Sequence, residues 1–244
     1  MHLPTPLVKA RLIRRYNRFL ADATLEDGET VTAHVANPGS MLGLNAPGQT
    51  IWLSRNDDPK RKLKYTWELV ALEAGHYSGV STAHPNRIVE EALRAGRIPE
   101  FADYPEIRRE VKYGKNSRID FLLSAPDRPD LYLEIKNVHL RREDDWAEFP
   151  DSVTARGAKH LAELADMAGA GARAVMLYVV QRTDCARFRL AADLDPAYAA
   201  AFRQARARGV EAVCRTCRIT VPKRPSVERP AEILLDRALP IEEG

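Results

Sequence analysis

The sequence has few cysteines: three in 244 residues, Cys185, Cys214 and Cys217. They are too few and too clustered for a disulfide framework. Cys214 and Cys217 form a C-x-x-C, but no second pair is present to complete a structural zinc site. A redox C-x-x-C opens a helix, whereas Cys214 closes a strand pattern. The cysteines therefore read as reduced packing residues. No apolar run approaches the roughly 20 residues that cross a bilayer, and Met1 to Leu20 lacks the apolar block of a secretory signal. The expected setting is a reducing cytoplasm, with no membrane partner. Glycine-rich phosphate loops and dinucleotide fingerprints are also missing, which argues against a sugar-phosphate or nucleotide-dependent enzyme. Neither a helix-turn-helix base reader nor an internal repeat is visible. Net charge is small as well: 37 basic residues against 34 acidic ones give +3.

Apolar residues make up 45% of the chain and charged residues 29%, which suits packed cores under a charged surface and excludes a wholly disordered chain. The length favours two domains over one. Residues 1–83 read as short strands separated by turns at Glu26–Glu29, Asn37–Ser40 and Ala46–Gly48, the pattern of a small OB-like β-barrel. One strand is expected over Leu7–Leu20 and others at Val31–Val35, Ile51–Leu53 and Trp67–Ala71. Residues 84–244 read as a helix from Asn86 to Ala95, with Asn86 as its cap, then strands at Ile107–Tyr113, Arg118–Leu123 and Leu131–Val138. A helix over Ser152–Met167, a buried strand at Ala174–Val180, a helix over Pro196–Ala207 and a strand at Val210–Cys214 follow. This order predicts an α/β, mixed α+β domain, a mixed sheet with flanking helices. The proline-rich tail after Pro222 is expected to lie extended on the surface.

Chemistry concentrates in Arg118-Ile119-Asp120 and Leu133-Glu134-Ile135-Lys136. Alternate residues of a strand share a face, so Glu134 and Lys136 point the same way, about 6–7 Å apart at Cα. Asp120 lies on the preceding strand, with Ile119 and Phe121 expected on the opposite face. If the two strands form a hairpin, two carboxylates and a lysine converge. Adjacent desolvated carboxylates repel, and a hard cation such as Mg²⁺ (or Mn²⁺) relieves that repulsion. A bound ion activates water and stabilises charge on a phosphate, which suits phosphodiester hydrolysis. Asp120, Glu134 and Lys136 are thus the candidate catalytic residues. A third acid could come from Glu90 or Glu91, which lie equally far from the apolar face of their helix, or from Glu110. On the next helix, Val153, Gly157, Leu161, Leu164 and Ala168 form the expected buried stripe, flanked by Arg156, a candidate phosphate holder, and by His160, which reads either as a second phosphate holder or as a satisfied core histidine.

Basic residues also cluster apart from this site. Arg14, Arg15 and Arg18 lie in the first strand, and Arg61, Lys62 and Lys64 adjoin Tyr65 and Trp67. Lys112, Lys115 and Arg118 lead to the carboxylates. Cations interleaved with aromatics on a barrel suit phosphate contact and base stacking, and hence DNA or RNA.

Six segments carry a resemblance to a known family: LIRRYNRFLAD at 12–22, NPGSM at 37–41, KRKLKYTWE at 60–68, EVKYGKNSRIDF at 110–121, LEIKNV at 133–138 and FPDSVTARGAKHL at 149–161. In these the chain resembles the sugar fermentation stimulation protein (SfsA) family, in one register over nearly its whole length. The resemblance implies an OB-like barrel joined to a PD-(D/E)xK nuclease-like domain, DNA binding, and a link to regulation of sugar (maltose) catabolism. Carried over by position, the nuclease motif falls on Asp120, Glu134 and Lys136, with Glu91 as the helix acid and metal ligand. Ile119 stands where the motif's name has proline.

Overall fold

The computed structural model describes residues 1–4, 6–114, 117–223 and 225–242. The first sheet contains β1 (Leu7–Tyr16), β2 (Leu20–Leu25), β3 (Thr30–His34), β4 (Thr50–Arg55), β5 (Tyr65–Ala71) and β6 (Tyr77–Gly79), in the order β3-β2-β1-β4-β5-β6. An added β3–β5 pairing closes it into a barrel. Its inward positions recur every second residue: Ala10 and Leu12, Ala21 and Ala23, Ile51 and Leu53 are all buried. Trp67 fills the centre, its indole N–H donating to the Leu69 carbonyl at 3.0 Å. The single strand expected over Leu7–Leu20 is two, β1 and β2, because Asn17 and Arg18 both adopt left-handed φ, 48° and 62°. A turn built without glycine gives little sequence warning.

Downstream follow α1 (His84–Arg94), β7 (Glu106–Tyr113), β8 (Ser117–Ala125), β9 (Arg128–Val138), β10 (Trp146–Phe149), α2 (Ala155–Gly169), β11 (Arg173–Val180), β12 (Arg187–Leu190), α3 (Pro196–Ala207), β13 (Glu211–Thr220), β14 (Glu232–Ala238) and β15 (Ile241–Glu242). The main sheet runs β14-β13-β11-β9-β8-β7, with β9, β11 and β13 parallel at its centre and antiparallel partners outside. Val175, Leu177 and Val179 pack on the α1 side with Ile88 and Val89, while Met176, Tyr178 and Val180 pack on the α2 and α3 side with Leu161 and Phe202. Burial on both faces explains the unbroken apolar run of β11.

Four expectations need correction. Helix α1 starts at His84, so Asn86 lies inside it and caps nothing. Helix α2 starts at Ala155, capped by Thr154, whose side chain accepts from the Gly157 N–H at 3.1 Å; Val153 therefore lies outside the helix and is 76% exposed. Cys214 and Cys217 lie within β13, buried and free, rather than at a strand end. The tail is not wholly a surface segment: β14 extends the main sheet with Ile233 fully buried, and β15 joins β10 and β12 in a small parallel sheet.

The barrel and the main sheet meet through apolar packing, with Leu7 and Leu69 in the same buried cluster as Leu133 and Val175, and through polar contacts. Asn37 donates to the Val80 carbonyl at 3.0 Å and lies 3.2 Å from His139 Nδ1 just past β9. Arg15 ties down the loop after β3 through the carbonyls of Asn37 and Ser40, and Ser40 N–H donates to Asp151 ahead of α2 at 3.2 Å. Gly39 leaves room for this contact, since a Cβ there would lie 2.7 Å from Asp151 Oδ2 and displace that carboxylate. The β1–β2 turn is thereby linked to the start of α2, which borders the candidate site.

Candidate functional site

Strands β8 and β9 pair from their hairpin up to Phe121↔Leu133, where the ladder ends. Asp120 occupies the fork. Its Oδ2 accepts the Ile135 N–H at 2.7 Å, and its Oδ1 accepts from Asn86 of α1 at 2.8 Å. Because the strands part at this point, simple alternation fails: Phe121 packs on the α1 side, whereas Ile119 packs on the α2 side. Along β9 alternation holds, and Glu134 and Lys136 both turn toward α2. Lys136 Nζ donates to Glu134 Oε1 at 2.6 Å, and His160 Nδ1 of α2 contacts the same oxygen. Arg156, one turn earlier, donates from Nε to His160 Nε2 at 3.3 Å. Glu134 is 2% exposed, and its Oε2 has no hydrogen-bond partner.

Asp120, Glu134, Arg156 and His160 border a cavity of about 490 Å³ that Glu110, Arg118 and Lys159 also line. Glu110 lies between Arg109 and Val111, whose partners are Phe121 and Ile119, so it stands opposite Asp120, with a left-handed φ of 52°. Burial and the neighbouring Glu134 carboxylate push the Asp120 carboxyl up to about 6, against the opposing pull of Ile135 N–H, Asn86 and Lys136. Burial also acts to raise Glu134, but the His160 hydrogen bond and the Lys136 charge outweigh it and hold that carboxyl below its ordinary value. The Tyr113 hydroxyl, buried near Glu134, Glu163 and Asp120, is pushed up. A larger cavity of about 670 Å³ lies along the barrel flank beside Trp52 and Tyr77, and the carboxylates that line it, Glu26 and Asp27, are exposed.

The structure thus brings together Asp120, Glu134, Lys136, Arg118, Arg156 and His160. Glu91 does not join them: its carboxylate meets the Met1 amine at 2.7 Å and Arg87 at 3.4 Å. Glu90 is held by Arg94 and Arg109. The α1 residue that reaches the site is Asn86. Among the described residues, no three His, Cys, Asp or Glu groups stand close enough to hold a metal ion unaided. The donor chemistry nonetheless fits a hard cation: two carboxylates share one cavity, one is strongly desolvated, and the other presents an unpartnered oxygen.

The other basic residues differ in availability. His160 is 6% exposed and engaged with Glu134, so it is no surface phosphate contact. Arg15 is occupied by backbone carbonyls. Arg14 pairs with Asp22 at 2.9 Å and lies over the Tyr16 ring. Arg18, Arg61, Lys62, Lys64, Lys112 and Arg118 are exposed, and Lys115 lies outside the described residues. Sequence reasoning missed Asn86 as a partner of Asp120, and it missed Glu163. That α2 carboxylate is buried, pairs loosely with Lys159 at 3.7 Å, and is accommodated by the absent side chain of Gly114. Its position three residues after His160 was the available signal.

An OB-like barrel joined to a mixed sheet with flanking helices, and carrying two carboxylates at a strand fork, defines a mixed α/β protein. Two family profiles match it: the SfsA N-terminal OB domain over residues 13–80 and the sugar fermentation stimulation protein RE domain over residues 83–223. The sugar fermentation stimulation protein homolog of Dinoroseobacter shibae is 61% identical over 243 residues, covering 99% of this chain and 96% of the relative. That of a Jannaschia species is 64% identical over 221 residues, covering 90% and 92%. The chain belongs to the sugar fermentation stimulation protein family. Its fold matches the structure of Pyrococcus furiosus SfsA in complex with Ca²⁺, with a TM-score of 0.84 at 23% identity, over 99% of this chain and 98% of that one. Among the described residues, no helix is long and apolar enough to cross a membrane.

Proposed function

We propose that the chain binds DNA and hydrolyses phosphodiester bonds with a hard divalent cation, Mg²⁺ or Mn²⁺, at Asp120 and Glu134. The observation that carries this reading is the unpartnered, buried Oε2 of Glu134, a residue that lines a cavity together with Asp120. A buried carboxylate oxygen without a partner is costly, and so is a second carboxylate beside it. A cation relieves both costs, and the Ca²⁺ complex of the archaeal relative supports a cation of this kind in the fold. When bound, the ion supplies Lewis-acid chemistry, activating water and screening phosphate charge. Asp120 would hold it from the strand fork, fixed there by Ile135 N–H and Asn86. Glu134 would hold it through Oε2. Lys136, on the same strand face, would orient the attacking water, and Arg118, Arg156 and Lys159 would present cations to the passing backbone.

The barrel's exposed Arg61, Lys62 and Lys64 would extend the same nucleic acid across the first domain. The relatives' name refers to sugar fermentation, and that name supports a role for the DNA binding in regulation of sugar catabolism. A second reading, a DNA-binding regulator that keeps the site without turnover, is favoured by one observation: the Lys136 ammonium is already held by Glu134 at 2.6 Å. The deciding experiment incubates the protein with labelled single- and double-stranded DNA and RNA in Mg²⁺, Mn²⁺ or EDTA, beside Glu134→Ala and Lys136→Ala. Metal-dependent cutting lost in both variants supports the hydrolase. Salt-sensitive binding without cutting in any condition supports the regulator.

A further inference from the structure

The structure assigns His160 a role in place of phosphate contact: it is a positioning residue that, oriented by Arg156, clamps one oxygen of Glu134 and so frees the other for a cation. The inference deepens the cation-site reading and rests on it. A neutral imidazole has one donor nitrogen and one acceptor nitrogen, and an arginine guanidinium has only donors. Arg156 Nε donates to His160 Nε2 at 3.3 Å, so Nε2 is the acceptor. The proton of the neutral ring therefore sits on Nδ1, the reverse of the tautomer that free histidine prefers in water, and His160 donates it to Glu134 Oε1.

Lys136 Nζ lies 3.2 Å from the same Nδ1. Two donors cannot bond each other, so the lysine donates instead to Glu134 Oε1 at 2.6 Å. Both donors thus converge on one oxygen, and Oε2 stays bare. The clamp is stiff, since Glu134 and His160 are 2% and 6% exposed. Arg156 and His160 are four apart, one turn of α2, which keeps their side chains in contact along the helix. Such outer contacts fix a ligand's orientation before the ion arrives, and losing one typically weakens metal binding by about 10- to 100-fold.

The test uses the full chain with ¹⁵N-labelled histidine in EDTA, read by long-range ¹H–¹⁵N correlation. The sequence holds six histidines, and the His160 signals are those lost in His160→Asn. The wild type should show the Nδ1–H tautomer at His160, and Arg156→Ala should shift it toward Nε2–H. In calorimetry, His160→Ala should bind Ca²⁺ about 10- to 100-fold more weakly than the wild type. His160→Asn, whose side-chain N–H lies near the place of Nδ1–H, should recover most of that loss. An Nε2–H tautomer in the wild type overturns the clamp, as does Ca²⁺ binding by a folded His160→Ala that equals the wild type. If His160→Ala fails to fold, the tautomer and the exposed Arg156→Ala decide. Should the wild type bind no Ca²⁺, the cation reading fails while the tautomer still reports on the clamp.

Discussion

Replacing Asp120 by asparagine separates what the site costs the fold from what it does. Burial and Glu134 raise this carboxyl from 3.8 to about 6. A carboxyl with a raised pKa binds its proton more tightly in the folded state. It therefore does no harm below the unfolded value, and it destabilises increasingly as pH rises from about 4 to about 6. Two pH units at 1.36 kcal/mol each make the full penalty about 3 kcal/mol above pH 6. Asparagine keeps the shape and removes the charge. Its oxygen can face the Ile135 N–H while its amide faces a flipped Asn86, so neither hydrogen bond need be lost. Urea unfolding in EDTA should show Asp120→Asn more stable than the wild type by about 2–3 kcal/mol near pH 8, and little different near pH 4. Added Ca²⁺ should then stabilise only the wild type. Equal or lower stability of the variant near pH 8 would refute the argument that the two carboxylates strain each other.

The remaining predictions concern neighbouring features. Glu91→Gln should leave metal-dependent cutting and Ca²⁺ affinity unchanged, whereas Glu134→Gln should abolish both; parallel cleavage assays and calorimetry check this. Gly157→Ala should destabilise the fold by about 1–3 kcal/mol in urea unfolding, because the new Cβ would lie 2.9 Å from both Thr154 Cγ2 and Tyr198 Cε2. Neutralising Arg61, Lys62 and Lys64 together should weaken duplex binding and flatten its log–log salt dependence by up to about 2.7, at about 0.9 per lost phosphate contact. A salt series of filter-binding measurements reads that slope.

The core of the site was legible because a period of two needs only neighbouring letters. Glu134 and Lys136 share a face for that reason, and the short β8–β9 connection brings Asp120 beside them. The fork itself was not legible, since it depends on where a ladder stops, and that sent Ile119 to the side opposite Phe121. The helix acid could not be chosen from periodicity either. Glu91 finds the Met1 amine, and that contact lies far away in sequence. Asn86 resembled a cap because its residue type favours caps, yet its side chain reaches a strand instead. The fold was lost mainly where strands are short or flanked by proline. Strands β10, β12 and β15 have four, four and two residues, too few for a pattern. Strand β14 was hidden behind Pro222, Pro225 and Pro230, although Glu232–Ala238 alternates well enough to pair with β13.

A crystal of the wild type soaked in Mn²⁺, read by its anomalous signal, bears most directly on the cation site. A manganese peak is expected in the cavity within coordinating reach of Asp120 and Glu134 Oε2, and it should disappear in Glu134→Ala. A well-ordered site with no peak between those carboxylates, or a peak only at Glu91, would contradict that expectation.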